Sequence, residues 1–174
     1  SEFRPGCPSG CAPGDSAFNN LTTTEIVSPL IEVLSPGNTL PAPTVIGAGG
    51  RMPPGQTIED DAAGDVETGG AFDPAGDGLD FHESLEGMRV QVNDAVAVGP
   101  TRTFGGGALE LTVVGDGGAP AGPRTVRGGV VLAPGDFNPE RIFLASGIVS
   151  AIPTANVGDS FPGTIVGVID YTFG

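Results

Sequence analysis

Apolar and polar residues alternate in several short stretches of the chain, and the longest of these stretches spans residues 88–98. Its valines recur with a period of two, at Val90, Val92, Val96 and Val98. This spacing places side chains on one face of a β-strand. Residues 82–87 (HESLEG), just before it, are polar and end in glycine. The pattern therefore predicts one short helical turn followed by a long strand.

Shorter strand-like stretches lie on both sides of this strand, separated by Gly, Pro, Asn and Asp residues that favour turns. They predict strands at 21–25, 27–34, 109–114, 129–133, 141–145 and 164–173, and a turn at 35–38. Helices do not alternate with these strands, so a doubly wound parallel fold is not expected. The sequence predicts an all-β fold, a small barrel or sandwich.

The length of 174 residues fits a single domain. Residues 1–20 are rich in Gly and Pro and predict an N-terminal loop region. Residues 41–80 combine prolines, glycines and carboxylates and predict a long acidic insertion outside the core. The chain opens on Ser-Glu-Phe, which resembles the end of a strand. We therefore expect it to be a fragment of a larger protein.

The charge of the chain is strongly negative, with 21 carboxylates against seven arginines and a net charge of −14. Ten of the carboxylates lie within residues 59–86, where there is no arginine or lysine. Tight binding to a nucleic-acid backbone requires many basic side chains. The composition therefore predicts weak nucleic-acid binding, or none, by this chain alone.

The acidic insertion contains one stretch that could bind calcium, residues 73–80 (DPAGDGLD). Calcium takes six to eight oxygen ligands, and a glycine-rich loop can curl around the ion. The candidate ligands are Asp73, Asp77 and Asp80, although their spacing does not match an EF-hand loop. The alternative interpretation is a solvated acidic loop without an ion.

Cys7 and Cys11 are the two cysteines of the chain and lie in a short loop, CPSGC. We expect them to form a disulfide, which would place the protein outside the cytosol, at the cell surface or secreted. The alternative is a pair of free thiols. No apolar stretch reaches the roughly 18 residues of a membrane span.

Two further sets of residues have a functional and a structural interpretation. His82 is the only histidine, and it could serve a hydrolytic site or simply be a structural histidine. The residues of one basic and aromatic cluster in the later half could contact a nucleic-acid strand or form ion pairs with nearby carboxylates. They are Arg124, Arg127, Arg141 and Phe137.

Several motifs occur in an order typical of one protein family: LTTTEI, LPAPTVI, LDFHESLEGMRVQV, AVGPT, RGGVVL, DFNPERI and VGDSFPGTIVGVIDYTFG. In this order they resemble the OB-fold-like domain that precedes the catalytic domain in large secreted bacterial nucleases of the ExeM and YhcR type. The most specific motifs are at residues 86–88, 138–141 and 167–174. The resemblance implies a small OB-like Greek-key barrel. It also implies that the catalytic residues lie in a downstream endonuclease/exonuclease/phosphatase domain.

The sequence therefore predicts a non-catalytic accessory module of a secreted nuclease-like protein. Such a module would position the downstream catalytic domain or weakly guide nucleic acid. The alternative is an extracellular assembly module that joins copies of itself or other surface proteins through strand edges. A free-standing hydrolase is a third and weaker interpretation, because no catalytic set is visible.

Overall fold

The computed structural model describes residues 2–7, 11–12, 15, 21–149 and 151–171. Its strands are β1 (Glu2–Phe3), β2 (Thr23–Thr24), β3 (Thr44–Ile46), β4 (Arg89–Ala97), β5 (Arg102–Thr103), β6 (Leu109–Val114), β7 (Ile142–Ala145) and β8 (Ser160–Val168). One helix, α1 (Gly78–Glu83), and two 3₁₀ turns, Gly105–Gly107 and Asp116–Gly118, complete the regular elements of the described residues. The all-β class is confirmed.

The sheet is organised around β4, the strand that the valine spacing predicts. β8 pairs with it antiparallel along one edge. The other edge is shared by β3, which runs parallel to β4, and by β6, which runs antiparallel to its last two residues. β5 and β7 both pair with β6. Among the described residues these six strands form an open, mixed sheet, so the OB-like barrel expected from the resemblance is not closed by hydrogen bonds.

A β-bulge in β4 corrects the predicted face of this strand. Asp94 adopts a φ of 45°, and the register with β8 shifts between Asn93 and Ala95. Between the pairs that Asn93 and Ala95 form with β8, β4 advances by two residues and β8 by three, so the regular alternation of faces is interrupted at Asp94. Val90 and Val92 therefore pack in the core cluster as predicted, but beyond the bulge Ala95 and Ala97 take this place instead of Val96 and Val98.

The hydrophobic core lies between one face of this sheet and the helix α1. Phe81 and Leu85 come from α1 and the turn after it, and both are almost completely buried. The remaining core residues come from the sheet and one loop: Ile46, Val90, Val92, Ala95, Ala97, Leu111, Val113, Ile142 and Ala155. The core therefore attaches α1 to the sheet, which fixes the position of the acidic loop that leads into the helix.

Several other predictions differ from the structure. The helix begins at Gly78, four residues before the start of the predicted helical turn. The turn that follows the helix ends at Gly87, whose φ is 70°. Residues 129–133 form isolated bridges instead of a strand. Thr44–Ile46, within the predicted insertion, is a strand whose Ile46 is buried in the core. Of the predicted last strand, residues 164–168 lie in β8, and Phe173 is outside the described residues.

Residues 25–42, which we call the arm, contain no strand although a strand was predicted at 27–34. Every residue of the arm is exposed. The predicted turn at 35–38 is present, because the side-chain amide of Asn38 donates to the carbonyl oxygen of Ser35 at 3.1 Å. The arm has the apolar pattern of a strand, but no described strand pairs with it.

The pair β1–β2 connects the N-terminal segment to the rest of the molecule. Arg4 forms ion pairs with Asp65 (2.9 Å) and Glu67 (3.1 Å) of the acidic loop. The hydroxyl of Thr23 donates to the carbonyl oxygen of Tyr171 at 3.1 Å. These contacts hold β1–β2 against the acidic loop while leaving the arm uncovered.

Cys7 and Cys11 form a disulfide, as predicted, with Cα atoms 5.5 Å apart. In the part of the chain that the structure describes, no helix has the length and apolar character needed to cross a bilayer.

Candidate functional site

The acidic loop and the start of α1 form the candidate functional site. The amide of Gly78 donates to the carbonyl oxygen of Thr57 at 3.1 Å, and the amide of Leu79 donates to that of Ile58 at 3.0 Å. These two hydrogen bonds tie residues 57–58 to the first turn of the helix. The carboxylates that follow residue 58 are thereby brought next to Asp77, the residue that precedes the helix.

Three carboxylates meet at this point. One ligand oxygen from each of Glu59, Asp61 and Asp77 lies within 4.8 Å of the others. Glu59 is oriented by its Oε1 atom, which accepts hydrogen bonds from the amides of Asp61 and Ala62, both at 3.0 Å. Asp61 accepts from the amide of Ala71 at 3.1 Å. The arrangement is an acidic cluster held in place by backbone donors on two of its three members.

Asp77 differs from the other two members of the cluster. Only 4% of its surface is exposed, and no hydrogen bond or ion pair of its carboxylate is found among the described residues. Burial, followed by the charges of Glu59, Asp60, Asp80 and Asp73, raises the pKa of Asp77 to about 6. Since the cluster lies close to the molecular surface, solvent screens part of this repulsion. The geometry therefore concentrates negative charge without supplying a protein cation.

Of the three predicted calcium ligands, only Asp77 belongs to the group of converging carboxylates. Asp73 and Asp80 lie outside the group of converging oxygens, and the amide of Asp73 instead donates to the carboxylate of Asp80. Glu59 and Asp61 were missed as candidate ligands. In the sequence, the only sign that Glu59 and Asp61 could join Asp77 is that all three lie in the same acidic stretch. The hydrogen bonds that bring them together link residues 57–58 to Gly78 and Leu79, which are distant in sequence.

A second set of buried polar side chains occupies the turn before β7. Asp136, Asn138 and Glu140 are 6%, 2% and 1% exposed. Neither carboxylate oxygen of Glu140, nor the side-chain oxygen of Asn138, has a hydrogen-bond partner among the described residues. Burial raises the pKa of Glu140; nearby amides, including that of Gly122, oppose the shift without forming a well-aligned hydrogen bond.

His82 occupies a structural position. Its Nε2 atom lies 2.9 Å from the carbonyl oxygen of Pro139, and its ring packs edge-on against Phe81. Burial lowers the pKa of His82, while the hydrogen bond to Pro139 opposes this shift. The nearby hydroxyl of Ser84 donates to the carbonyl oxygen of Phe81 at 2.6 Å. His82 therefore joins α1 to the turn at Pro139.

The predicted nucleic-acid contacts have different environments. Arg141 is half-buried, and its Nε donates to the carbonyl oxygen of Asn138 at 2.9 Å. Arg124 and Arg127 are exposed and form no ion pair among the described residues, and Phe137 is 45% exposed. Arg141 is thus used to hold its own turn, and two arginines and one aromatic ring remain available at the surface.

An exposed cation–π pair, not predicted from the sequence, joins Arg102 of β5 to Phe104, the residue after this strand. The guanidinium carbon of Arg102 lies 5.0 Å from the centre of the Phe104 ring. Phe104 is 40% exposed. An arginine two residues before an aromatic side chain is the only local signal for this pair.

Residues 45–174 match a family described as a domain of unknown function, DUF8508. The match covers well over half of the chain. The chain belongs to this family. No curated protein matches the chain, and no solved structure matches it.

The family match begins inside β3 and includes every member of the acidic cluster. The pair β1–β2 and the arm precede it. The candidate site therefore belongs to the DUF8508 portion of the chain, and the exposed arm lies outside that portion.

Proposed function

We propose that this chain is a non-catalytic accessory module of a larger secreted nuclease-like protein, and that it positions the catalytic domain of that protein. The observation that carries the proposal is the arm. Its large apolar side chains are between 61% and 102% exposed, at Ile26, Val27, Leu30, Ile31, Val33, Leu34 and Leu40. Contiguous apolar surface of this kind marks an interaction site.

The chemistry of the arm favours an apolar partner surface. Glu25 and Glu32 are its only charged residues, so charge contributes little to what it would bind. The apolar residues are adjacent in sequence, and docking the arm against a neighbouring domain would remove them from water together. A neighbouring domain of the same polypeptide is the partner that the motif resemblance implies.

The non-catalytic part of the proposal is supported by the environment of His82. Its Nε2 atom is engaged with Pro139, and the Ser84 hydroxyl is engaged with Phe81. A nucleophile and its general base need to be hydrogen-bonded to each other. Both side chains instead make contacts that stabilise the fold.

Secretion and the link to nucleases have separate support. The Cys7–Cys11 disulfide fits an oxidising compartment outside the cytosol. The nuclease link comes from the ordered motifs at residues 86–88, 138–141 and 167–174. Guidance of nucleic acid would be weak, because Arg124, Arg127 and Phe137 act against a net charge of −14.

The proposal can be tested in the parent polypeptide with a variant of the arm, Leu30→Ser with Ile31→Ser. We expect it to lower the rate of nucleic-acid hydrolysis and to make the arm more sensitive to limited proteolysis. The matched control is Val126→Ser with Leu132→Ser, two residues that are 107% and 70% exposed outside the arm. Equal hydrolysis and equal proteolysis in the wild type, the arm variant and the control would contradict the proposal.

One observation favours the alternative of an assembly module. β8 has nine residues and pairs only with β4 among the described strands. Its other edge therefore offers backbone donors and acceptors to a strand from another molecule. Light scattering over a range of concentrations tests this: a dimer or larger species that is lost on introducing Val166→Pro supports assembly, and a monomer throughout contradicts it.

A further inference from the structure

The acidic cluster has the spacing of oxygens that share one ion. Oxygens of Glu59, Asp61 and Asp77 lie within 4.8 Å of one another. Calcium binds oxygens at 2.3–2.6 Å, so two ligands of one ion are at most about 5 Å apart. The three side chains come from two separate stretches of the chain, and the hydrogen bonds from Gly78 and Leu79 to residues 57–58 hold these stretches together.

The burial of Asp77 distinguishes this cluster from the solvated carboxylates on the rest of the surface. Asp65 and Glu67, in the same loop, form ion pairs with Arg4. Asp77 is only 4% exposed and has no hydrogen-bond donor or cation among the described residues. A charge that is largely removed from solvent and has no partner is unfavourable. A cation bound at the cluster would provide that partner.

The surroundings of Asp77 increase the need for a positive charge. Asp60, Asp73 and Asp80 also act on it electrostatically, in addition to Glu59. Each of these charges is negative, so all of them attract a cation held between the three converging carboxylates. A divalent cation relieves the repulsion for all of these groups together.

We propose that Glu59, Asp61 and Asp77 bind one calcium ion. Glu59 uses Oε1 for two backbone amides, so Oε2 is available to the ion. Asp61 is exposed, which gives the ion a route of entry and allows water to complete its coordination. Calcium tolerates irregular sets of carboxylates, whereas magnesium demands near-octahedral geometry.

The test uses the purified chain, first stripped with EDTA and then titrated with calcium chloride at neutral pH. We expect calorimetry to show one bound ion. The melting temperature should rise by roughly 5–10 °C when free calcium reaches about 100 times its dissociation constant. Magnesium chloride at the same concentration should produce a smaller rise.

Asp77→Asn is the decisive variant, because it removes the buried charge and keeps the shape of the side chain. In EDTA it should melt at or above the wild-type temperature, and its calcium affinity should fall more than roughly 10-fold. Asp61→Asn, at an exposed position, is a second variant that should fold normally and also weaken binding. Asp170→Asn changes an exposed carboxylate outside the cluster and should leave the calcium response unchanged.

Three results would overturn the proposal. The first is the absence of any calcium-induced shift in the wild-type melting temperature. The second is a full shift in both Asp77→Asn and Asp61→Asn. A calcium response lost in Asp73→Asn but retained in Asp61→Asn would equally reject this ligand set in favour of the stretch around Asp73.

Discussion

The arm and the sheet domain contain the same kinds of apolar residues in opposite environments. Leu111 of β6 is completely buried, whereas Leu30 of the arm is 102% exposed. Both residues lie in stretches whose pattern predicts a strand. The difference is that β6 has strands on both sides, β4 and β5 on one edge and β7 on the other, while no described strand pairs with the arm. An apolar pattern gives a segment its tendency to pair, and burial requires a partner.

The largest difference between the two regions should appear when leucine is truncated. Leu111→Ala removes buried methyl groups and leaves a cavity, so we expect it to lower the free energy of unfolding by about 2–5 kcal/mol. Leu30→Ala should change it by less than about 0.5 kcal/mol. Urea denaturation of both variants measures the two values. Similar losses would mean that the arm packs against the domain in solution.

The two regions also contain matched non-glycine residues with a positive φ, Asp94 at 45° and Ser28 at 50°. The carboxylate of Asp94 also accepts a hydrogen bond from the amide of Gly163 at 2.8 Å. Asp94→Ala loses this bond in a backbone held by strand pairing, so we expect a loss of about 1–2 kcal/mol.

Ser28→Ala is the control, and it should have almost no effect, because Ser28 is exposed and no described strand pairs with the backbone of the arm. Asp94→Asn, which keeps an oxygen acceptor, should recover most of the lost stability. Thermal denaturation distinguishes these variants. An equal loss in Ser28→Ala and Asp94→Ala would show that the arm is as constrained as β4.

We expect pH to have a smaller effect on the free energy of unfolding. This effect should be confined to the sheet domain, which contains His82. Because burial lowers the pKa of His82, the unfolded chain binds a proton at higher pH than the folded chain. This contribution to stability is present above the ordinary histidine pKa of about 6.5 and is lost as the pH falls below it.

His82→Gln removes this titration while leaving the carboxylates in place. The unfolding free energy of the wild type should therefore decrease more than that of the variant between about pH 7 and about pH 5. Denaturant titrations at the two pH values give the difference. A variant with the same pH dependence as the wild type would refute this role of His82.

The smallest effect on the sheet domain should come from the disulfide. Replacing Cys7 and Cys11 by serine opens a very short ring, for which loop-closure entropy gives at most about 2 kcal/mol. We expect this change to affect mainly the N-terminal segment, seen as faster proteolysis there. The melting temperature of the domain should remain close to that of the wild type. A large decrease would show that the N-terminal segment is an integral part of the domain.

Sequence patterns predicted β6 and β7 well, because short alternating stretches bounded by turn residues describe strands inside a sheet. The bulge at Asp94 was not predictable, since a single residue with positive φ exchanges the faces of a strand without changing its alternation. β3 is only three residues long and pairs in parallel with distant residues of β4. A strand of three residues is too short to show the alternation of apolar and polar residues that identifies a strand in the sequence.

The candidate site was predictable only in part, for a related reason. Asp77 was a candidate because it lies in an acidic, glycine-rich stretch. Glu59 and Asp61 join it because residues 57–58 hydrogen-bond to the start of α1, and this pairing is a property of tertiary structure. The acidic composition identified the region, while the fold selected the residues.

The parallel pairing of β3 with β4 also affects the order of folding. Thr44–Ile46 pairs with residues 90–92, so the chain between them must close into a long loop before these strands can meet. Such loops carry an entropic cost that slows folding, and the cost rises with loop length. The acidic cluster lies inside this loop. A calcium ion that joins Glu59 and Asp61 to Asp77 in the unfolded chain would shorten the segment left to close. Calcium should then accelerate refolding as well as slow unfolding, a kinetic effect that stopped-flow experiments can separate.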